Sequence, residues 1–587
     1  MIRRIISALC VAGTASAVAL VATSVPAQAV PASFAVNFAA DNGASTRTAS
    51  GFLHGVEATS PAQYLVDAVN VRALRGADHH PNLPSLFDPA TQSRVSAAGA
   101  QLMVGLYYYV DDPTDPRRPY RPGDNGDWQT WRNIVTEVYN ESVSRGYPVH
   151  SWITWNEPDI QWNTAQRPFS RYLQAHDVAY ETVKALSPSQ RIQAPELTGF
   201  NFSRLTEFLT YCKANNCIPD VLSWHELTAN PSDVEGHTAQ MRQWLINNGI
   251  TPMPFAITEY QGTCYGCPNA WNAGQNVSWI ARMERSAANG LAYGLTSAWE
   301  WHGSNSNFVA TLGNLTVQSA DLPRAVWWNY NTVKDMTGRR VGVTRGTGLD
   351  GLADSDPARG RATILIGNQD TSSKEITLTL NNLGSAGYLQ RQGQVHVIAD
   401  RIVNTGSATF PATVVDADYT VSGNTVTLSL PSLPAHGVYR VRVTSATAAA
   451  PKTSFEAESL PTSASGGVTH RTFVEAQASG GQATALDATA PGQYVRYTVT
   501  TSRAAVYNIN AILKREAARG VFQLYVNGVA HGQPRDEYGA FAYYRADLGN
   551  ISLAAGNNVL EFRSVARNPS SSSYRLTFDR FDLTPVT

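Results

Sequence analysis

Two glutamates in this chain of 587 residues stand where acid chemistry is done in pairs. Trp155-Asn156-Glu157-Pro158 closes one apolar run, and Thr258-Glu259-Tyr260 closes another, 259 − 157 = 102 residues later. Cleaving an acetal takes one protonated carboxyl, which gives its proton to the departing oxygen, and one ionised carboxylate, which stabilises or attacks the oxocarbenium carbon. The two acids must therefore be held in different charge states. The charge on Glu259 disfavours ionising Glu157, and an apolar wall from Trp155 is expected to raise the Glu157 pKa further. Asn156 is set to donate to a hydroxyl beside the reacting carbon.

Elements that could hold such a pair repeat one rhythm from about Gly51 to Gly303. Short apolar strands are predicted at 51–56, 69–74, 101–109, 149–156, 191–196, 221–227, 254–260 and 294–301, with amphipathic helices between them. One helix shows the logic. Asp127 can cap it, Trp128, Trp131, Val135, Val138 and Tyr139 make its apolar stripe, and Gly146 with Pro148 ends it. Such units spread over roughly 250 residues fit a closed (β/α)₈ barrel. The spacing of the two acids equals three units of about 34 residues each, which puts them on the fourth and seventh strands. Those strands face each other, and barrels do their chemistry at the carboxyl ends of strands.

These residues resemble clan A of the glycoside hydrolases, which carries an Asn-Glu pair after strand four and a Glu after strand seven. With Gly51-Phe-Leu-His-Gly55 and a sandwich after the barrel, the chain looks most like family 39, over roughly residues 34–445. The resemblance implies Glu157 as acid/base, Glu259 as nucleophile, net retention, and no cofactor for the reaction. Ser223-Trp224-His225-Glu226-Leu227 is similar to the family's Ser-x-His-x-Tyr, with Leu227 where the tyrosine would stand. Trp299 matches the clan's sugar platform, and Arg75 takes the place of a strand-two histidine. Substrate contacts are accordingly expected at Asn156, His225, Trp299, Arg75 and Tyr260. Glu196, Glu226 and Glu300 are rival carboxylates at other strand ends, read as supporting or substrate-binding groups.

Arg3 and Arg4, an apolar stretch, and Ala27-Gln28-Ala29 read as an export leader over 1–29. The chain then divides into a catalytic barrel at 30–325, an accessory antiparallel β-sandwich at 326–446, a linker at 447–453 and a second β-sandwich at 454–587. Residues 34–38 are expected to add a strand to the first sandwich. The last unit resembles carbohydrate-binding modules of families 6 and 35. That likeness implies a structural calcium held by Glu456, Glu458 and Asp579, with Tyr494, Tyr538 or Tyr543 as sugar contacts.

Four cysteines remain after the leader, an even number in an oxidising compartment, and are expected to pair locally, Cys212 with Cys217 and Cys264 with Cys267. The formal net charge of −1 becomes −3 when the two leader arginines are removed, which leaves no electrostatic footprint for nucleic acid or an anionic membrane. Thirteen Trp and 25 Tyr in a chain only 16% charged suit sugars as partners. His225-Glu226 is no H-E-x-x-H, because Ala229 stands where the second histidine would be. Gly346-Thr-Gly348-Leu-Asp-Gly351 has no helix pattern after it, so no dinucleotide site is implied. The expectation is a secreted, extracellular retaining glycoside hydrolase. It would act from chain ends on arabinosyl, xylosyl or related side chains of plant polysaccharide. The opposing expectation is a carbohydrate-binding or adhesive protein on a barrel that does no catalysis.

Overall fold

The computed structural model describes residues 29–53, 63–69, 71–76, 88–110, 115–227, 233–260, 272–288, 316–317, 322–405, 409–446 and 452–585, with 56, 58, 61 and 231 as single positions. Residues 1–28, Cys264, Cys267, Trp299, Glu300 and the strand expected at 294–301 lie outside them.

Among the described residues, seven parallel strands follow chain order in one sheet: β2 (Gly51–Leu53), β3 (Ala73–Gly76), β4 (Gln101–Gly105), β5 (Val149–Ile153), β6 (Ile192–Leu197), β7 (Val221–Glu226) and β8 (Phe255–Tyr260). β2 also approaches β8, so the sheet curls into a nearly closed barrel of the (β/α)₈ kind. Every residue of β6, β7 and β8 is buried, as expected of parallel strands with helices outside and packed side chains inside. The second strand starts later than its expected bounds of 69–74. Val69 N–H closes on Val66 O at 3.3 Å, so that apolar run finishes a helix and a turn before Ala73 begins the strand.

The helix read from its stripe forms as α3 (Gln129–Ser144), with Trp131, Ile134, Val135 and Tyr139 buried. Thr130 N–H donates to Asp127 Oδ1 at 3.0 Å, and Gly146 takes the left-handed φ of 69° that ends the helix. Among the other helices are α1 (Gln63–Asp67), α2 (Pro89–Ala97), α4 (Pro158–Gln161), α5 (Phe169–Leu186), α6 (Phe202–Asn215), α7 (Asp233–Asn247) and α8 (Ala273–Ala288).

The first sandwich stacks a four-stranded and a six-stranded sheet around its own apolar core. Its four-stranded sheet includes β1 (Val30–Asn37), the segment that precedes the barrel in sequence. β1 runs parallel to Lys374–Asn381 and antiparallel to Gly342–Arg345. Barrel and sandwich touch where two glycines meet. A Cβ added to Gly274 on α8 would collide with the Asn368 carbonyl, and one on Gly367 would collide with Gly274 O. The C-terminal unit is a second pair of antiparallel sheets with a separate core. It docks on the first sandwich through Asn550 Nδ2, which donates to Arg359 O at 2.9 Å and Gly360 O at 3.0 Å. Phe410 packs against Val521, Val565 and Ala566 at the same boundary. Among the described residues no helix is long and apolar enough to cross a membrane.

Candidate active site

After β5 the chain reaches Glu157 in the left-handed region, φ 48°, and Pro158 opens α4 directly behind it. Glu196 on β6 is also left-handed, φ 60°, where the pairing register breaks between Pro195 and Leu197. Non-glycine residues hold that conformation at a cost of about 1 kcal/mol or more, and a register break re-aims side chains. β7 has a similar break between Trp224 and Glu226, beside His225. These irregularities gather at the carboxyl ends of the strands, as barrel active sites do.

Five charged side chains converge there. Arg75 Nη1 donates to Glu259 Oε1 at 2.6 Å, and Nη2 donates to Asn156 Oδ1 at 2.5 Å and Tyr107 Oη at 3.2 Å. His225 Nδ1 lies 3.3 Å from Glu157 Oε1, and Nε2 lies 3.3 Å from Glu196 Oε2 and 3.6 Å from Glu259 Oε1. Glu157, His225 and Glu259 each present one atom within 4.8 Å of the other two. Glu157 and Glu259 are 20% and 11% exposed at their side chains, whereas His225 and Glu196 are fully buried beneath them. Glu196 also accepts hydrogen bonds from Gln193 Nε2 and Thr258 Oγ1.

Burial pulls the His225 pKa down, but the Glu259 charge and the Glu157 and Glu196 hydrogen bonds overcome it and raise it to about 9. Burial pushes Glu196 up, and Arg75, His225 and Thr258 more than reverse that, to about 2. Burial likewise pushes Glu157 up, while the His225 hydrogen bond, its charge and Arg75 leave it below its ordinary value. This direction is opposite to the sequence expectation. Trp155 is buried among Tyr107, Trp131 and Trp162, and the burial that raises Glu157 is outweighed by the His225 hydrogen bond and charge.

The structure thus gathers Arg75, Asn156, Glu157, His225 and Glu259 together with Glu196, one of the strand-end acids that the sequence read as supporting or substrate-binding groups. Tyr260 is corrected. The residue is fully buried on the helix side of β8, its hydroxyl donates to Ala49 O at 2.8 Å, and its ring packs on Trp279. It follows Glu259 in an alternating strand, so it faces away from the mouth. Glu226 also turns outward, accepting from Trp224 Nε1 at 2.7 Å and meeting His237 Nδ1 at 2.8 Å. Trp299 lies outside the described residues.

Cys212 and Cys217 come together at the end of α6, where Asn216 is left-handed and Cys217 N–H donates to Cys212 O at 3.0 Å. Both side chains are buried and unbonded, with the two sulfurs and a His176 ring nitrogen within 4.8 Å of one another. The Cys212 thiol holds Cys217 down, to about 6, while burial pushes Cys212 up. In the C-terminal unit, Glu456, Glu458 and Asp579 gather at the turn Ser479–Gly481. Ser479 N–H donates to Asp579 Oδ1 at 2.9 Å, and Ser479 Oγ donates to Glu456 Oε1 at 2.9 Å. Glu456 and Glu458 each keep one buried oxygen without a hydrogen-bond partner. Burial, then the neighbouring Ser479 amide and Glu456, set the Asp579 pKa at about 6. Oxygen donors of this kind suit a hard cation, although the three do not form a group with oxygens all within 4.8 Å. Tyr494 is half-buried between the guanidinium groups of Arg496 and Arg563, at 4.4 and 5.5 Å from its ring.

No family model matches the chain. Among curated proteins it is similar to a 3-O-beta-L-arabinopyranosyl-alpha-L-arabinofuranosidase of Bifidobacterium pseudocatenulatum, 24% identical over 336 residues, covering 50% of this chain and 33% of that protein. It is also similar to a 3-O-alpha-D-galactosyl-alpha-L-arabinofuranosidase of Bifidobacterium longum subsp. longum, 25% identical over 241 residues, covering 39% and 20%. The chain therefore spans a third or less of the length of these relatives. Among solved structures, a protein from Neocallimastix frontalis superposes with TM-score 0.60 at 23% identity, over 71% of this chain and 100% of that one. A monomeric beta-xylosidase from Caulobacter crescentus superposes with TM-score 0.50 at 14% identity, over 70% and 99%. Over about seven-tenths of its length, then, this chain has the fold of those two solved proteins.

Proposed function

We propose that the chain is a secreted retaining glycoside hydrolase that acts from chain ends on plant carbohydrate, with α-L-arabinofuranosides bearing a 3-O-glycosyl substituent as its first substrate class. The observation that carries this reading is the meeting of Glu157 and Glu259, each offering an oxygen within 4.8 Å of the other at a partly open barrel mouth. Retaining pairs stand about 5–5.5 Å apart and inverting pairs about 6.5–9.5 Å apart, so the close approach favours double displacement. The substrate class follows the names of the two curated relatives, both arabinofuranosidases.

Glu259, oriented by Arg75, attacks the anomeric carbon and forms a glycosyl ester. Glu157 protonates the departing oxygen as its bond to the anomeric carbon breaks, then takes a proton from the water that attacks that carbon and releases Glu259 as the carboxylate. Burial raises Glu157 in the free site and the His225 hydrogen bond and charge more than reverse it, so the acid step needs a bound sugar that desolvates the carboxyl further and brings its proton on. A metal among Glu157, His225 and Glu259 is the less favoured reading, because Arg75 already holds the Glu259 oxygen at 2.6 Å and a protonated imidazole offers no lone pair.

A panel of aryl glycosides and 3-O-substituted arabinofuranosyl oligosaccharides tests the proposal. Hydrolysis with Glu259→Gln slowed roughly 10⁴-fold or more, and Glu157→Gln spared only on good leaving groups, is the expected result. Failure to cleave any glycoside, with sugar binding intact, favours the non-catalytic carbohydrate binder.

A further inference from the structure

Away from the barrel mouth, a cavity of about 240 Å³ opens where the helix Ala325–Lys334, the first sandwich and the C-terminal module meet. That is slightly below the roughly 300 Å³ at which small-molecule pockets begin, a space for one small polar molecule. Its lining is dominated by cations. Arg359, Arg361, Arg440, Arg442, Arg515 and Arg535 face four aspartates.

The pairing among these groups is incomplete. Asp400 takes Arg440 at 2.6 Å and Arg442 at 3.5 Å, Asp335 takes Arg361 at 3.7 Å and Arg359 at 3.8 Å, and Asp547 takes Arg442 at 3.7 Å. Asp536 is engaged by Asn568 at 2.7 Å and by the Tyr538 amide at 2.9 Å. Arg515 lies over the Tyr544 ring at 4.5 Å, and Arg535 donates to the backbone oxygen of Asp547 at 2.9 Å. Neither is in an ion pair among the described residues. The nearby Glu537 is engaged by the Tyr544 hydroxyl, at 2.6 and 2.8 Å from its two oxygens.

Two guanidinium charges therefore enter this junction without a carboxylate. Arg440, only 7% exposed, keeps Nη1 without a hydrogen-bond partner, and the equally buried Arg361 keeps Nε so. Guanidinium forks match planar and tetrahedral oxyanions, and a buried unpaired donor is costly until such a group arrives.

We propose that this three-way junction is a binding site for a small oxyanion, the chemistry that a sugar carboxylate shares with inorganic sulfate or phosphate. Because its walls come from the helix after the barrel, the first sandwich and the last module, the bound anion ties the module to the rest of the chain. This site is independent of Glu157 and Glu259.

Calorimetric titration of the full chain with glucuronate, galacturonate, sulfate, phosphate and neutral xylose tests the proposal, alongside thermal unfolding with each. One equivalent of an anion should bind and raise the unfolding temperature, while xylose should not bind there. Arg535→Gln and Arg515→Gln should each weaken that binding at least roughly 10-fold, and Glu259→Gln should leave it unchanged. Tighter binding of the uronates than of sulfate and phosphate identifies a sugar acid; the reverse order identifies an inorganic anion. Absence of anion binding to the wild-type chain overturns the site. Binding that a folded Arg535→Gln or Arg515→Gln leaves intact overturns it too.

Discussion

At Glu196 a carboxylate closed off from solvent lies between Arg75 and His225 and fixes the charge of both. Glu196→Gln removes one of the partners that hold the His225 proton, so the His225 pKa falls from about 9. In the proposed reaction the basic limb of the kcat/KM profile then moves to lower pH, whereas a purely structural loss would lower the whole profile without moving it. The same two groups set how stability depends on pH. His225 is raised from 6.5 to about 9, so its contribution is complete below 6.5 and lost as pH rises through 9. Glu196 is lowered from 4.5 to about 2, so its contribution is complete above 4.5 and lost as pH falls through 2. From this pair, stability should be greatest between 4.5 and 6.5. Above 6.5 it should fall by up to about 1.4 kcal/mol per pH unit in chemical unfolding, a slope that His225→Gln should flatten. Glu157 and Glu259 were legible as residues because each ends an apolar strand in a recognisable setting. Glu196 was legible as a supporting strand-end acid, but its place between Arg75 and His225 was not, because a backbone irregularity aims it and no side-chain pattern records that. The direction of the Glu157 pKa escaped for a related reason: it is set by His225, 68 residues away in sequence, rather than by the aromatic neighbour Trp155.

At the scale of elements, α8 holds Glu259 and the sandwich in one frame. Gly274 and Gly367 bring helix and strand backbones together, and Gly274 N–H donates to His436 O at 2.8 Å. Gly274→Ala must push the helix off the sandwich, since its obstacle is backbone, and should cost about 1–3 kcal/mol or more in denaturant unfolding. Gly387→Ala, with open space around it, serves as the control and should cost far less. The strand–helix alternation gave away the barrel strands because each is a short apolar run between breakers. The start of β3 escaped, since Val69 and Val71 are as apolar as a strand and only the Val69 hydrogen bond to Val66 shows a helix ending there. The contact between Gly274 and Gly367 was equally hidden, because a missing side chain matters only once its neighbour is known.

For the whole molecule, the C-terminal module rests on the first sandwich through backbone acceptors at Arg359 and Gly360 and through Phe410. Its proposed calcium at Glu456, Glu458 and Asp579 supplies a separate test. Chelation should lower the unfolding temperature of the module and leave turnover at the barrel unchanged, and Asp579→Asn should reproduce the loss without chelator. The two unpartnered acceptor oxygens make this expectation specific to the turn around Ser479.

Strand β1 sets a timetable for making this protein. It pairs first with Gly342–Arg345 and then with Lys374–Asn381, so about 310 to 340 residues separate it from the partners that seal it. At ribosomal speeds of about 5–20 residues per second, that wait is on the order of tens of seconds. Through that interval an apolar ribbon carrying Phe34 and Val36 stays sticky, and any shortened version that stops after the barrel leaves it so permanently.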